Sequence, residues 1–142
     1  FIFQSFNLIE ELTVEENIEV ALLYHDLPRA TRRERVARVM EKMGISHRAR
    51  HRPVQLSGGQ QQRVAIARAV VGEQKLILAD EPTGNLDSER GREVMNMLRA
   101  LNAEGTTIVM VTHSAEHSAY ADRVVNLFDG RVTAESPRTA AG

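Results

Sequence analysis

The chain has 142 residues, enough for one domain with a real core. Its 18 Lys+Arg and 19 Asp+Glu leave a net charge of −1, so the whole-chain field offers no attraction for a polyanion or an anionic membrane surface, and local sites must supply any phosphate binding. Cysteine is absent, which excludes disulfides and thiolate metal sites, and no apolar run approaches the ~20 residues that a membrane-spanning helix needs.

Phe1-Ile2-Phe3 reads as the end of a buried strand. Gln4 stands at its exit, either as a surface glutamine or as a polar group reaching into a site. A chain that starts at Phe1 within an apolar run is expected to be part of something longer. Thr13-Val14-Glu15-Glu16 is a capping box, and Val14, Ile18, Ala21 and Leu22 recur at helical spacing, predicting a helix from about Val14 to Tyr24 before Pro28. Thr31-Arg32-Arg33-Glu34 offers a second box. The stripe Val36, Val39, Met40 and Met43 then ends at Gly44, a C-cap residue. The Arg-rich face of this helix is interleaved with Glu34 and Glu41 and has no aromatic partners, so it reads as a solvated face rather than a nucleic-acid surface.

From Ile45 to Gln55 the pattern is a helical turn and a loop stopped by Pro53, with His47 and His51 read as exposed. Leu56-Ser57-Gly58-Gly59-Gln60 follows and opens a helix. Ser57 is the N-cap and Gln60 closes a capping box, so Gly58 and Gly59 are expected to present accessible N–H groups to an anion, favoured by the helix dipole. On these residues alone, an ordinary helix start is an equal reading. Val64, Ile66, Ala67 and Val70 form the buried side, and Gly72 the end.

After Lys75, Leu76 to Ala79 is a continuous apolar run closed by Asp80 and Glu81, the pattern of a parallel strand covered on both faces. Ligands of open α/β sheets sit beyond the carboxyl ends of strands, which puts both acids where chemistry is expected. A helix from Ser88 to about Ala103 presents Val94, Met97, Leu98 and Leu101, and Thr106 to Val111 is a further buried strand. A short helix from Ser114 to Tyr120, a strand from Arg123 to Phe128, the turn Asp129-Gly130 and a strand from Arg131 to Ala134 complete the pattern.

In order and spacing, Ser57-Gly58-Gly59-Gln60, then Leu78-Ala79-Asp80-Glu81-Pro82, Asn85-Leu86-Asp87 and Val111-Thr112-His113 resemble the ATP-binding cassette (ABC) ATPases. The resemblance runs from Gln4 to about Glu135. It implies an α/β fold, the parallel-sheet core of P-loop NTPases in incomplete form, with an inserted helical subdomain. The implied divisions are 1–4 as strand end and Q-loop, 5–72 as helical subdomain with the signature helix, 73–135 as the C-terminal part of the ATPase core, and 136–142 as a flexible tail.

The same resemblance implies that Asp80 and Gln4 hold Mg²⁺, that Glu81 is general base towards water, and that His113 contacts the γ-phosphate. It also implies that Ser57, Gly58, Gly59 and Gln60 touch ATP held by a second ATPase subunit, with Asp87 at that subunit interface. The implied function is a transporter ATPase on the cytoplasmic face of a membrane, working through a permease. The form of the motifs looks most like the lipoprotein-release and macrolide-export class.

Soluble ABC-type proteins acting on DNA or in translation, or a non-enzymatic remnant, are the alternatives. The stretch between Gln4 and Ser57 is short and without heptads, which disfavours the coiled-coil DNA-maintenance members. One departure is large: the sequence contains no G-x-x-x-x-G-K-[ST] loop. Two expectations follow, that this chain alone binds ATP weakly or not at all, and that a gap in its sheet leads to a rearranged sheet or a strand-exchanged oligomer.

Overall fold

The computed structural model describes residues 1–137, which fall into two compact units, Phe1–Val111 and the part from Thr112 onward. The first unit opens with a single bridge residue. Ile2 pairs in parallel with Ala79, its N–H donating to Leu78 O (2.8 Å) and its carbonyl accepting from Asp80 N (2.9 Å). Strand β1 (Leu76–Asp80) pairs in parallel with β2 (Thr107–Val111), in register from Leu76 opposite Thr107 to Asp80 opposite Val111.

Neither strand is covered on both faces, contrary to the apolar-run pattern. Ile77 and Ala79 are buried, whereas Leu76, Leu78, Val109 and Val111 are exposed. Alternate side chains of a strand point to opposite faces. Helices cover one face here, so only every second residue enters the core.

The helical part sits between Ile2 and β1. Helix α1 (Val14–Glu19) starts on the expected Thr13–Glu16 capping box, but at Val20 it tightens into a 3₁₀ turn, Val20–Leu22, so it is shorter than the Val14–Tyr24 reading. The tightened turn satisfies late carbonyls through Leu23 N to Val20 O (3.2 Å) and His25 N to Leu22 O (3.1 Å). Helix α2 (Arg29–Lys42) begins earlier than its Thr31 box predicts. Pro28 takes the cap position, and its carbonyl accepts from Arg32 N at 3.0 Å, so Thr31 falls inside the first turn.

The α2 C-terminus follows the sequence. Gly44 adopts φ 66°, its N–H donating to Glu41 O and that of Ile45 to Met40 O, the two bonds of a Schellman motif. Pro53 starts a 3₁₀ turn, Pro53–Gln55, rather than stopping one. His47 is exposed, but His51 is half-buried with Nε2 3.0 Å from Arg48 Nη1, because the chain leaves helical geometry after Arg48. The Arg-rich face is partly engaged in ion pairs, Arg32 with Glu19 and both Arg35 and Arg38 with Glu73.

Helix α3 (Gly58–Val70) is the central element, with Val64, Ala65, Ile66 and Ala67 fully buried. Val70 is only half-buried, and the left-handed residue after the helix is Glu73 (φ 57°) rather than Gly72. Helix α4 (Ser88–Ala103) buries Val94, Met95, Leu98 and Leu101, with Met95 in the place predicted for Met97. α1 and α2 pack on α3, and α3 packs on α4, which also covers β2.

In the second unit, α5 (Ala115–Ser118) is shorter than expected. β3 (Arg123–Phe128) and β4 (Arg131–Pro137) form an antiparallel hairpin around Asp129-Gly130, whose φ values of 47° and 71° are those of the turn predicted there. β4 continues past Ala134, so the tail expected from Ser136 is a strand to Pro137, and its remainder, 138–142, lies outside the described residues.

Candidate functional site

Parallel pairing brings two chain segments out at the same sheet end. Asp80 closes β1 with an exposed side chain, and Gln4 leaves two residues after the Ile2 bridge. Glu81 is half-buried and left-handed at φ 42°, a conformation that L side chains rarely adopt. Its N–H donates to Val111 O at 2.9 Å, which carries the β1–β2 ladder one residue past the strands. A tight turn follows, with Gly84 N to Glu81 O and Leu86 N to Thr83 O, both 3.0 Å.

Gln4 is interlocked with this turn. Asn85 Nδ2 donates to Gln4 O (3.0 Å), and Gln4 Nε2 lies 3.4 Å from Asn85 Oδ1. A Cβ on Gly84 would stand 2.6 Å from Gln4 Nε2, so the missing side chain is what admits the glutamine. The strand exit and the acid-bearing turn are therefore one surface.

The Ser57 cap forms as the sequence predicts. Ser57 Oγ accepts from Gln60 N (3.3 Å), and Gln60 Oε1 accepts from Ser57 N (3.0 Å). The first turn of α3 is less open than expected, because Gly59 is buried and a Cβ there would meet Arg90 Cδ at 2.8 Å. Gly58 is half-buried, with Leu86 Cδ2 3.5 Å from where its Cβ would be. The N-terminus of α3 thus lies against the turn after Glu81 and the start of α4.

Asp87 is the N-cap of α4. It accepts from Arg90 N (3.0 Å) and pairs with the Arg90 guanidinium. The Arg90 backbone N–H, then its guanidinium, hold the Asp87 carboxyl below the usual carboxylate range. His113 belongs to the second unit, exposed in the bend before Ser114, the N-cap of α5. Among the described residues no group of three or more His, Cys, Asp or Glu could hold a metal ion by itself.

Three buried or half-buried polar residues that complete this arrangement do not stand out in the sequence. Asn17 is wholly buried and binds the loop between Gln4 and α1: its Nδ2 donates to Ile9 O (3.0 Å), Leu12 O (3.1 Å) and Thr13 O (3.0 Å), and its Oδ1 accepts from Ile9 N (2.8 Å). Arg68 donates from Nη1 to Asn7 O (2.6 Å) and from Nη2 to Phe6 O (2.8 Å). Burial pushes its guanidinium pKa down from the ordinary arginine value. Gln62 is fully buried and donates from Nε2 to Pro82 O. The available signal was position: a Gln and an Arg fall on the buried and half-buried sides of a helix whose other inward residues are apolar.

A model of the ABC transporter family matches residues 1–84. The chain is 52% identical over 141 residues to the macrolide export ATP-binding/permease protein MacB 1/2 of Paracoccus denitrificans, covering 99% of this chain and 21% of that protein. It is 50% identical over 132 residues to an uncharacterized ABC transporter ATP-binding protein, MJ1508, of Methanocaldococcus jannaschii, covering 93% of this chain and 59% of that one. Among solved structures, the cassette MJ0796 in a dimeric post-hydrolysis state bound to ADP and Pi superposes with a TM-score of 0.83 at 41% identity, over 99% of this chain and 62% of that one. The chain thus spans about a fifth of the MacB relative and about three fifths of the solved cassette. The parallel pairing of β1 with β2, the inserted helices and the capped Ser57 helix are accordingly part of the P-loop NTPase fold of an ATP-binding cassette, and the chain belongs to the ABC transporter family.

Proposed function

We propose that this chain carries the signature and hydrolytic half of an ATP-hydrolysing transporter subunit. The observation that carries the reading is the interlock of Gln4 with the turn after Asp80-Glu81, against which the capped N-terminus of α3 also lies. Glu81 serves as general base towards water, a role for which a half-buried carboxylate at a strand end is suited. Asp80 and Gln4 supply oxygen ligands for Mg²⁺. Mg²⁺ is commonly held by one or two carboxylates plus substrate phosphates, so a site without a protein triad fits it. Bound Mg²⁺ neutralises phosphate charge.

Ser57, Gly58, Gly59 and Gln60 offer their helix N-terminus to the phosphates of ATP on a second subunit, and Asp87 lies at that contact. His113 contacts the γ-phosphate. The second subunit is a copy of this chain's own protein, in keeping with the dimeric relative MJ0796. The MacB relatives, each a single macrolide export ATP-binding/permease protein, support the export subclass and work with a membrane permease, in the same protein or as a separate subunit, and with it a place at the cytoplasmic membrane face belongs to the proposal. None of the helices is long and apolar enough to cross a membrane among the described residues.

Residues 1–4 act as strand end and Q-loop, 5–72 as the helical subdomain with the signature helix, and 73–135 as the C-terminal part of the ATPase core. The sequence holds no G-x-x-x-x-G-K-[ST] loop, so this chain by itself binds ATP weakly or not at all. Two measurements test the proposal. In the protein at its natural full length, Glu81→Gln should abolish MgATP hydrolysis while nucleotide binding persists, and retained turnover would refute the role of Glu81. Titration of the isolated 142-residue chain should show no micromolar MgATP binding.

A further inference from the structure

We propose that Gln62 and Arg68 are positioning residues through which α3 holds the loops of Gln4 and Glu81 in one fixed arrangement. The inference rests on the proposed roles of Gln4 and Glu81, and adds two residues that neither touch phosphate nor belong to the capped N-terminus.

Arg68 grips the first loop. Its guanidinium donates to two successive carbonyls, Phe6 O and Asn7 O, of residues that are both left-handed (φ 61° and 48°). Non-glycine residues in that region are strained and persist only where their surroundings enforce them. A planar fork with two parallel donors can do this, while a lysine offers a single point charge. The turn it locks directly follows Gln4, whose backbone and amide are fastened to Asn85 and whose side chain lies over Gly84.

Gln62 grips the second loop. Its Nε2 donates to the carbonyl of Pro82, next to the left-handed Glu81. Its Oε1 is buried without a hydrogen-bond partner. A wholly buried amide with one unpaired oxygen costs stability, and an apolar residue of similar volume would avoid that cost. Keeping it there is better explained by what its other atom holds than by packing. Arg68 and Gln62 lie on one rigid helix of 13 residues, so a displacement of α3 moves both loops together.

The test is made in the protein at its natural full length with Arg68→Lys, Gln62→Leu and their combination, and with Glu81→Gln as control. Misplacement of a reacting group by about 1 Å can cost on the order of 10²-fold in rate, so each single variant should lose roughly that much in kcat while binding MgATP as before. The combined variant should lose less than the product of the single losses, because residues acting as a unit are non-additive. Unchanged kcat in variants that bind MgATP would overturn the inference, as would a loss confined to thermal stability.

Amide exchange of Gly84 and Leu86 gives a readout independent of catalysis. Exchange should rise in Arg68→Lys and Gln62→Leu and stay unchanged in Glu81→Gln. If Glu81→Gln leaves hydrolysis intact, the functional reading fails, and unchanged exchange at Gly84 and Leu86 would separately sink the positioning role.

Discussion

Replacing Asn17 by Ala should destabilise the protein more than any exposed substitution, because this side chain closes the loop between the sheet and the helices. It is fully buried: its Oδ1 accepts from Ile9 N–H, and its Nδ2 shares two hydrogens among the carbonyls of Ile9, Leu12 and Thr13. Two donated bonds and one accepted bond, at about 1 kcal/mol net each, bring the loss to ~3 kcal/mol. The backbone partners are only partly buried, so water recovers some of them, which brings the expected cost to about 2–3 kcal/mol.

The measurement is urea unfolding with Asn17→Ala beside Asn17→Asp. At neutral pH the aspartate should be at least as damaging. It keeps the acceptor for Ile9 N–H but turns a charged oxygen towards three carbonyls. A cost for Asn17→Ala inside the roughly ±0.5 kcal/mol of ordinary surface changes would refute the reasoning, as would an aspartate variant as stable as the parent.

Removing the α3 cap by Ser57→Ala should cost about 1 kcal/mol, read by urea unfolding, and should raise amide exchange at Gln60. Glu81→Gly should stabilise the fold by on the order of 1 kcal/mol by relieving its left-handed backbone, visible as a raised thermal midpoint, while abolishing hydrolysis in the full-length protein. Asp87 has a folded-state pKa below its unfolded one, so its stabilisation is present above the usual carboxylate range and lost as pH falls through the depressed value. Asp87→Asn should therefore flatten the acid limb of the stability–pH curve below roughly pH 4, with little change in its slope near neutrality.

The sequence was most legible where a side chain acts on its own backbone neighbours. The Thr13 and Ser57 boxes, the Gly44 Schellman end and the Asp129-Gly130 turn all depend on residues within a few positions, and all form where they were expected. Prediction was poorer where tertiary context decides. Pro28 supplied a cap that displaced the Thr31 box, and one-sided helix cover left Leu78, Val109 and Val111 exposed on strands whose composition suggests burial on both faces. For the site, the motif residues could be named from order and spacing. The amides and guanidinium that hold them could not, because Gln62 and Arg68 act on residues 20 and 62 positions away, respectively, and no local pattern records such a partner.

The left-handed residues show why those distant partners matter. Among the described residues five non-glycine residues have positive φ, and three of them, Phe6, Asn7 and Glu81, lie in the two loops that meet at the carboxyl end of β1. Strain of about 1–3 kcal/mol at each would relax if the loops were free. Each loop is instead tied from outside: Arg68 holds the carbonyls of Phe6 and Asn7, and Gln62 holds that of Pro82, while Val111 accepts the Glu81 N–H. Two of those three ties come from α3, whose N-terminus carries the Ser57 cap. A helix start that a capping box fixes, and a pair of strained loops that the same helix holds, are therefore mechanically one object. A displacement of the α3 N-terminus would reach the loops of Gln4 and Glu81 through Gln62 and Arg68, beside the ties that both loops keep to the sheet.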